Sequence, residues 1–399
     1  MIRTTPFHDR LAALNETGLF QHWSAHLVSS MFQLDDKAEY FAVRNSAGLI
    51  DTSPLYTYRI AGPDAERLLA GTLARDVRTC VDGQAQYTVW CDDDGYVIED
   101  GVVFRHAHDD YWLTAAEPNL TWFEQHAVGL DVVLTDISAS LGALAVQGPR
   151  SAAILAALAP EVPALRPFRH IQAEIGGRPV VISRTGYTGD LGYEVWVEAE
   201  HAEAVFDAIW AEGRKHLLTP VGQQAFLSLR IEAGLLMVGQ DFVSSRYAFT
   251  DSDRLSPLEL GLGWMMRDLV TTERAFIGRA ALRREVESGS SRWAQVGIEV
   301  GWREWDALHC ERGLIPPKDH TPTPWEMMLF GAERELLGHT TSFLYSPVLQ
   351  RHIGMARVRP DVATVGTPLR LEITVDHRTE TVGAQVVRTP FFNPPRKTA

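Results

Sequence analysis

Cysteine is scarce in this chain: 399 residues contain three, Cys80, Cys91 and Cys310. They form no CxxC pair and no ligand-spaced set, so neither a disulfide framework nor a structural zinc site is indicated. The 14 histidines form no visible metal set either, and no metal is expected. No apolar run approaches the ~18 residues that a membrane span requires. The first ten residues are polar and lack the apolar core of a signal segment. A reducing cytoplasm is therefore the expected compartment, with no membrane partner. Excess positive charge is also missing: 37 Lys+Arg stand against 51 Asp+Glu, a net charge of -14. That balance argues against nucleic acid as a partner, because a phosphate backbone demands a basic surface. It leaves room for a local basic pocket. Internal repeats and low-complexity tracts are absent.

What is present is ordinary for a globular chain, with 45% hydrophobic and 22% charged residues and length enough for two or three domains. Residues 35–44 read as a helix and 55–60 as a strand. Gly62-Pro63-Asp64 opens a helix to Leu73, its proline near the first turn, where a missing N–H costs little. Residues 86–90 and 96–105 form two strands joined by Cys91-Asp92-Asp93-Asp94-Gly95, and Asp-Gly there is a strong hairpin signal. These aspartates lack the alternating spacing and distal glutamate of a calcium loop, so a solvated turn is expected. Strands at 111–116 and 142–146, and helices at 119–126, 151–158, 201–212 and 221–233, complete an alternation of hairpins and helices. That alternation indicates an α+β fold rather than a parallel sheet. Residues 235–290 read as loop-rich, with Arg283 to Glu287 as a charged linker. Strands at 293–300, 369–375 and 381–387 suggest a small all-β C-terminal domain. It carries an irregular insertion, residues 301–337, rich in proline and tryptophan, and such long irregular segments are often functional.

The chain is organised around residues 183–196, a strand end, a glycine-punctuated turn and a second strand. Gly186 and Gly189 permit backbone angles closed to other residues. Period-2 alternation puts Glu194 and Trp196 on one face of the second strand. A carboxylate beside an indole on an apolar strand is unusual for a plain core. Composition alone favours an exposed edge strand with Glu194 in solvent.

Several stretches together resemble the glycine cleavage T protein and its relatives. They are Ala42-Val43-Arg44-Asn45-Ser46-Ala47-Gly48-Leu49-Ile50-Asp51, Ala145-Val146-Gln147-Gly148-Pro149, Thr185-Gly186-Tyr187-Thr188-Gly189 and Gly192-Tyr193-Glu194. Leu229-Arg230-Ile231-Glu232-Ala233-Gly234, Ser256-Pro257, Gly263-Trp264, Phe276-Ile277-Gly278-Arg279 and Ser346-Pro347 follow in the same order. The resemblance implies a two-part folate-binding region, residues 1–285, followed by a β-barrel-like domain, residues 290–399. It implies tetrahydrofolate as cofactor and one-carbon transfer involving its N5. Carried over by position, Glu194 would hold the pterin edge, Tyr87 would line the pterin and Arg230 would help hold the folate. Asp100 would sit near the reacting nitrogen as the catalytic carboxylate. A pterin presents adjacent donors that a carboxylate can accept, and its ring can stack on aromatic faces. The family has two adjacent aspartates where this chain has Glu99-Asp100. Neighbours on a strand face opposite ways, so only one reaches the site, and Asp100 is the choice. The alternatives are a packed strand aromatic for Tyr87, a surface ion pair for Arg230, and a solvated hairpin mouth for Glu99 and Asp100.

Departures from the family pattern set the branch. Pro54 and Leu55 replace the usual histidine and methionine, and Trp196 stands where a small residue is usual. Sulfonium demethylases of the same superfamily are similar in carrying aromatics at positions matching Tyr187 and Trp196. Such a pair can face a methylated cation through cation–π attraction, or can simply pack. Phe226 stands where aryl-ether demethylases resemble one another in a tyrosine acid, and a phenyl ring cannot protonate a leaving phenolate. The resulting expectation is a tetrahydrofolate-dependent demethylase of a small methylated compound that forms 5-methyltetrahydrofolate, with Tyr187, Trp196 and Phe226 at the substrate. The alternatives are the aminomethyltransferase of glycine cleavage, with a lipoyl carrier protein as partner, and a non-catalytic folate-binding accessory protein.

Overall fold

Period-2 strands with one apolar face must be covered, and in the computed structural model, which describes residues 2–271 and 273–398, three bodies of sheet cover one another. A six-stranded sheet runs in the order His170–Ile175, Arg178–Ser183, Gly192–Glu198, Leu141–Gln147, Ala47–Asp51 and Leu218–Pro220. A five-stranded sheet runs Gln84–Cys91, Val97–Ala107, Asp110–Ala115, Tyr56–Ala61 and Val133–Asp136. A closed six-stranded barrel is built from Ala294–Val300, Arg351–Val358, Leu336–Ser346, Met328–Phe330, Pro368–Val375 and Arg378–Val387. A small three-stranded sheet (Arg3–Thr4, Phe20–Trp23, His26–Ser29) lies at the N-terminus. The α+β expectation with a C-terminal barrel is borne out.

Alternation explains how the central sheet serves two cores. Leu144 and Val146 on one strand and Tyr193, Val195 and Val197 on its neighbour turn to one side, against the helices Ser151–Ala156 and Ala202–Gly213. Each such buried side chain contributes about 1.5–3 kcal/mol. The opposite side presents Ala143 and Ala145, paired across the ladder with Trp196 and Glu194. Small residues beside large ones leave room on that side. It is covered by the helices Asp36–Asn45 and Gln223–Glu232 around Ala145, and by Phe104 of the five-stranded sheet around Trp196. A third cluster ties the hairpin of the five-stranded sheet (Val89, Val97) to the 236–282 segment and to Leu344, Ile353 and Met355 of the barrel.

Two local expectations are corrected. Residues 283–287 are part of the helix Arg279–Ser288, in which Leu282 is buried and Arg283 pairs with Glu287 one turn on at 2.7 Å. A charge run with i,i+4 complementarity stabilises an exposed helix face as readily as it makes a linker. The 301–337 segment contains the helix Trp302–Cys310 and the strand Met328–Phe330. Trp305 fills the barrel core against His352, whereas Trp302 and Trp325 are exposed. No helix among the described residues is long and apolar enough to cross a membrane.

Candidate active site

The five-stranded sheet contributes the first side chains. Val89 pairs with Asp100 and Tyr87 with Val102, so Tyr87 and Asp100 are diagonal neighbours on one face. The Tyr87 hydroxyl donates to Asp100 Oδ2 at 2.7 Å. Burial raises the Asp100 carboxyl to about 6, while the Tyr87 donor pulls it back down. Glu99 faces the other way, beside Trp90. It is fully buried and accepts from the amides of Ala116 and Glu117 and from Asn119 Nδ2 at 2.6–3.1 Å. Burial outweighs these donors and pushes the Glu99 carboxyl up to about 9. The two acidic neighbours thus have separate surroundings, and neither is a solvated mouth residue.

The 184–191 loop contributes the second set. Gln147, fully buried, donates to the carbonyls of Thr185 and Tyr193 and accepts from the Thr188 hydroxyl. A Cβ on Gly186 would lie 2.1 Å from Gln147 Oε1, so this glycine serves close approach. Gly189, at φ +74°, supplies the left-handed turn. The loop sets Thr185 to donate to Glu194 Oε2 in a short hydrogen bond. Glu194 is half-buried, its carboxyl raised by burial, and its Oε1 has no hydrogen-bond partner among the described residues. The exposed-edge alternative for Glu194 is therefore wrong: its strand is interior to the sheet.

Tyr187, on the same loop, donates to the Leu236 carbonyl. Its ring lies 5.5 Å from Phe226, which lies 6.3 Å from Trp23. The fields of Asp100 and Asp241 act on both Tyr87 and Tyr187, and Arg230 acts on Tyr187, so these groups converge. Burial is the largest influence on both hydroxyls and holds them protonated.

The structure places two residues differently from expectation. Arg230 is neither a surface ion pair nor a free cation: it is 1% exposed and forms a buried pair with Asp241. Its guanidinium also donates to the Leu235 carbonyl and to Ser342 Oγ of the barrel, at 3.2 and 2.8 Å. The helix position that aims it at the site also aims it at the barrel. Trp196 is not in the aromatic cluster of Tyr187. At 3% exposed it packs edge-on against Phe104, at 5.6 Å, and Trp112, at 6.3 Å, between the two sheets.

Two participants escaped sequence reading. Asp241 lies in a loop-rich stretch without a motif, yet accepts from Arg230, the Met237 amide, Thr341 and Ser342. Trp23 ends a hairpin strand whose turn, Ser24-Ala25, has positive φ at both residues (44° and 67°). Asn-Gly is the usual signal for such a turn, and here the Ser24 hydroxyl anchors it on the Ala116 carbonyl instead, at 2.8 Å. Away from this cluster, Glu198, Glu200 and His201 bring their ligand atoms within 4.8 Å of one another, with both glutamates exposed, an arrangement common without any ion.

Comparison with known proteins accords with this layout. Residues 12–268 match the GCVT N-terminal domain, and residues 312–393 match the glycine cleavage T-protein C-terminal barrel domain. An aminomethyltransferase of Geobacillus kaustophilus is 34% identical, over 98% of this chain and 99% of that protein. A trimethylamine-oxide aldolase of Ruegeria pomeroyi is 33% identical over 99% of this chain, which spans about half (47%) of that relative's length. The crystal structure of aminomethyltransferase T from Bartonella henselae has the same fold, with a TM-score of 0.82 at 22% identity over 98% of this chain and 99% of that one. The chain belongs to the glycine cleavage T-protein family.

Proposed function

We propose that this enzyme is a tetrahydrofolate-dependent one-carbon transferase that removes a methyl group from a small methylated compound, with 5-methyltetrahydrofolate as product. The observation that carries the reading is the charge and character of the convergence site. Asp100 is bonded to Tyr87 beside the rings of Tyr187 and Phe226, and the nearby guanidinium of Arg230 is already neutralised by Asp241. A site with an unneutralised carboxylate and aromatic walls suits a cationic or neutral methyl donor and disfavours an anionic one. The relative named for trimethylamine oxide supports a methylated nitrogen compound as one donor class to test.

The residues present fit the folate. Glu194 Oε1 is open and accepting, and a pterin edge carries adjacent N–H donors, a charge-assisted match. When bound, tetrahydrofolate supplies the secondary amine nitrogen that receives the one-carbon unit. Glu194 would hold the pterin, Tyr87 would line it, and Asp100 would orient the folate or hold a proton at the reacting nitrogen. Phe226, Tyr187 and Trp23 would exclude water and fix the donor's approach. Arg230 would act through the frame it ties together rather than as a free anion clamp.

Aminomethyl transfer, with a lipoyl carrier protein as partner, is the second reading. It is favoured by end-to-end likeness to aminomethyltransferases, 98% of this chain against 99% of the relative. Mass spectrometry of folate products separates the readings. The protein is incubated with tetrahydrofolate and a panel of methylated amines and amine oxides, sulfonium, quaternary ammonium and methoxy compounds. An aminomethyl-loaded lipoyl protein is tested separately. Appearance of 5-methyltetrahydrofolate with one panel member is the expected result. Methylenetetrahydrofolate and ammonia in the lipoyl reaction alone would establish the second reading. Folate binding with no turnover anywhere would indicate an accessory protein.

A further inference from the structure

The loop that carries Thr185 and Tyr187 is held on its far side by the C-terminal segment. After the last barrel strand, Arg378–Val387, the chain leaves the barrel and returns to the folate region. The Phe392 amide donates to the Glu232 carbonyl at 2.9 Å, and the Phe392 ring lies 4.1 Å from the Arg44 guanidinium. Arg396 then makes a two-pronged contact with Asp190, Nε to Oδ1 and Nη2 to Oδ2, both 2.7 Å. Its Nη2 also donates to the Arg44 carbonyl at 3.1 Å. On the other flank of the loop, Arg184 Nη2 donates to the Lys397 carbonyl at 3.3 Å.

Asp190 is the receiving end, and its side chain is fully buried. It also accepts from the Leu191 amide at 2.8 Å and stands 3.5 Å from Arg44. Arg44 is engaged chiefly by Glu232, at 2.6 Å, and by the Thr188 carbonyl, at 2.9 Å. Arg396 is therefore the principal charge partner of a buried carboxylate in the turn, and a fork on a carboxylate fixes direction as well as distance. The turn has little freedom: a Cβ on Gly189 would come within 2.7 Å of Ala233 Cβ. Five residues before Asp190 stands Thr185, which donates to Glu194; three before stands Tyr187. Arg396 lies beyond residue 393, where the match to the family's barrel domain ends.

We infer that Arg396 is a positioning residue: its fork on Asp190 holds the 184–191 loop in the shape that aims Thr185 at Glu194 and Tyr187 at the donor. This rests on the folate reading above only for its effect on catalysis. Two measurements keep the two separable. Hydrogen exchange on the ligand-free protein is expected to show faster exchange across residues 186–191 in Arg396→Ala, with the helices Ser151–Ala156 and Ala202–Gly213 unchanged. Steady-state kinetics are expected to show a KM for tetrahydrofolate raised on the order of tenfold, a larger change than that in kcat. Millimolar guanidinium added to Arg396→Ala is expected to restore most of the KM, which a general loss of stability would not allow. Arg396→Lys, charged but unable to fork, is expected to fall between wild type and Arg396→Ala. It also supplies the comparison should the alanine variant fail to fold. Arg59→Ala, which breaks the exposed pair with Asp110, is the control. Unchanged loop exchange in both Arg396 variants, or a raised KM that guanidinium does not lower, overturns the inference. A wild-type protein that binds no tetrahydrofolate overturns the functional reading, and the exchange result then decides the clamp alone.

Discussion

The Asp100–Tyr87 pair lends itself to a quantitative test. Asp100 titrates at about 6, raised by burial and held from rising further by the Tyr87 hydroxyl. If the ionised carboxylate is the working form, kcat/KM rises with pH and levels off above 6. One pH unit below that midpoint about one carboxylate in eleven is ionised, so activity at pH 5 should be roughly elevenfold below the plateau. Tyr87→Phe removes a hydrogen bond to the charged form, worth about 1.5–3 kcal/mol, or about one to two pH units. The midpoint should then move upward to roughly 7–8, because the lost donor favoured the carboxylate. At pH 7 the variant would be severalfold slower than wild type, and at pH 9 nearly equal. Asp100→Asn should abolish the limb altogether. The assay is a pH series of initial rates under single-turnover conditions with the donor identified by mass spectrometry. An acid limb that persists in Asp100→Asn, or a Tyr87→Phe midpoint that stays at the wild-type value, refutes this assignment.

Three further outcomes are expected. Glu194→Gln should weaken tetrahydrofolate binding by about 10–150-fold, the loss of charge-assisted acceptance, measured by quenching of protein fluorescence; unchanged affinity would remove Glu194 from the pterin site. Arg230→Met leaves Asp241 buried without its cation, which should cost about 3–5 kcal/mol in urea unfolding; a loss of folate affinity without loss of stability would return Arg230 to the ligand. Glu99 carries its own pH dependence. Its folded value of about 9 lies above the ordinary value near 4.3, so its contribution to stability is present at low pH and lost as pH rises toward 9. Melting temperature should therefore fall between pH 5 and 9 in wild type and fall less in Glu99→Gln; equal slopes would place the Glu99 carboxyl in the ordinary range.

The sequence by itself determined the local elements and several faces. Period-2 alternation put Glu194 opposite Tyr193 and Val195, and it separated Asp100 from Glu99, because a strand leaves its residues no other choice. The Asp-Gly turn at 94–95 marked the hairpin, but a bulge between Trp90 and Cys91, which no turn signal announces, shifts its register by one residue and puts Asp100 rather than Glu99 on the face of Tyr87. The ordered motifs identified the family and, through it, the α+β fold with its barrel. What only the tertiary structure decided was which faces meet. Trp196 and Tyr187 are nine residues apart in the chain, yet they pack against different elements, because Phe104 and Trp112 of the second sheet take the indole first. Arg230 reads as a ligand-binding cation until the fold brings Asp241 and Ser342 against it. Asp241, Trp23 and Arg396 carry no motif. Each matters only because contacts between residues far apart in the chain put it against a particular group, and those contacts are set by packing, which one-dimensional periodicity does not encode.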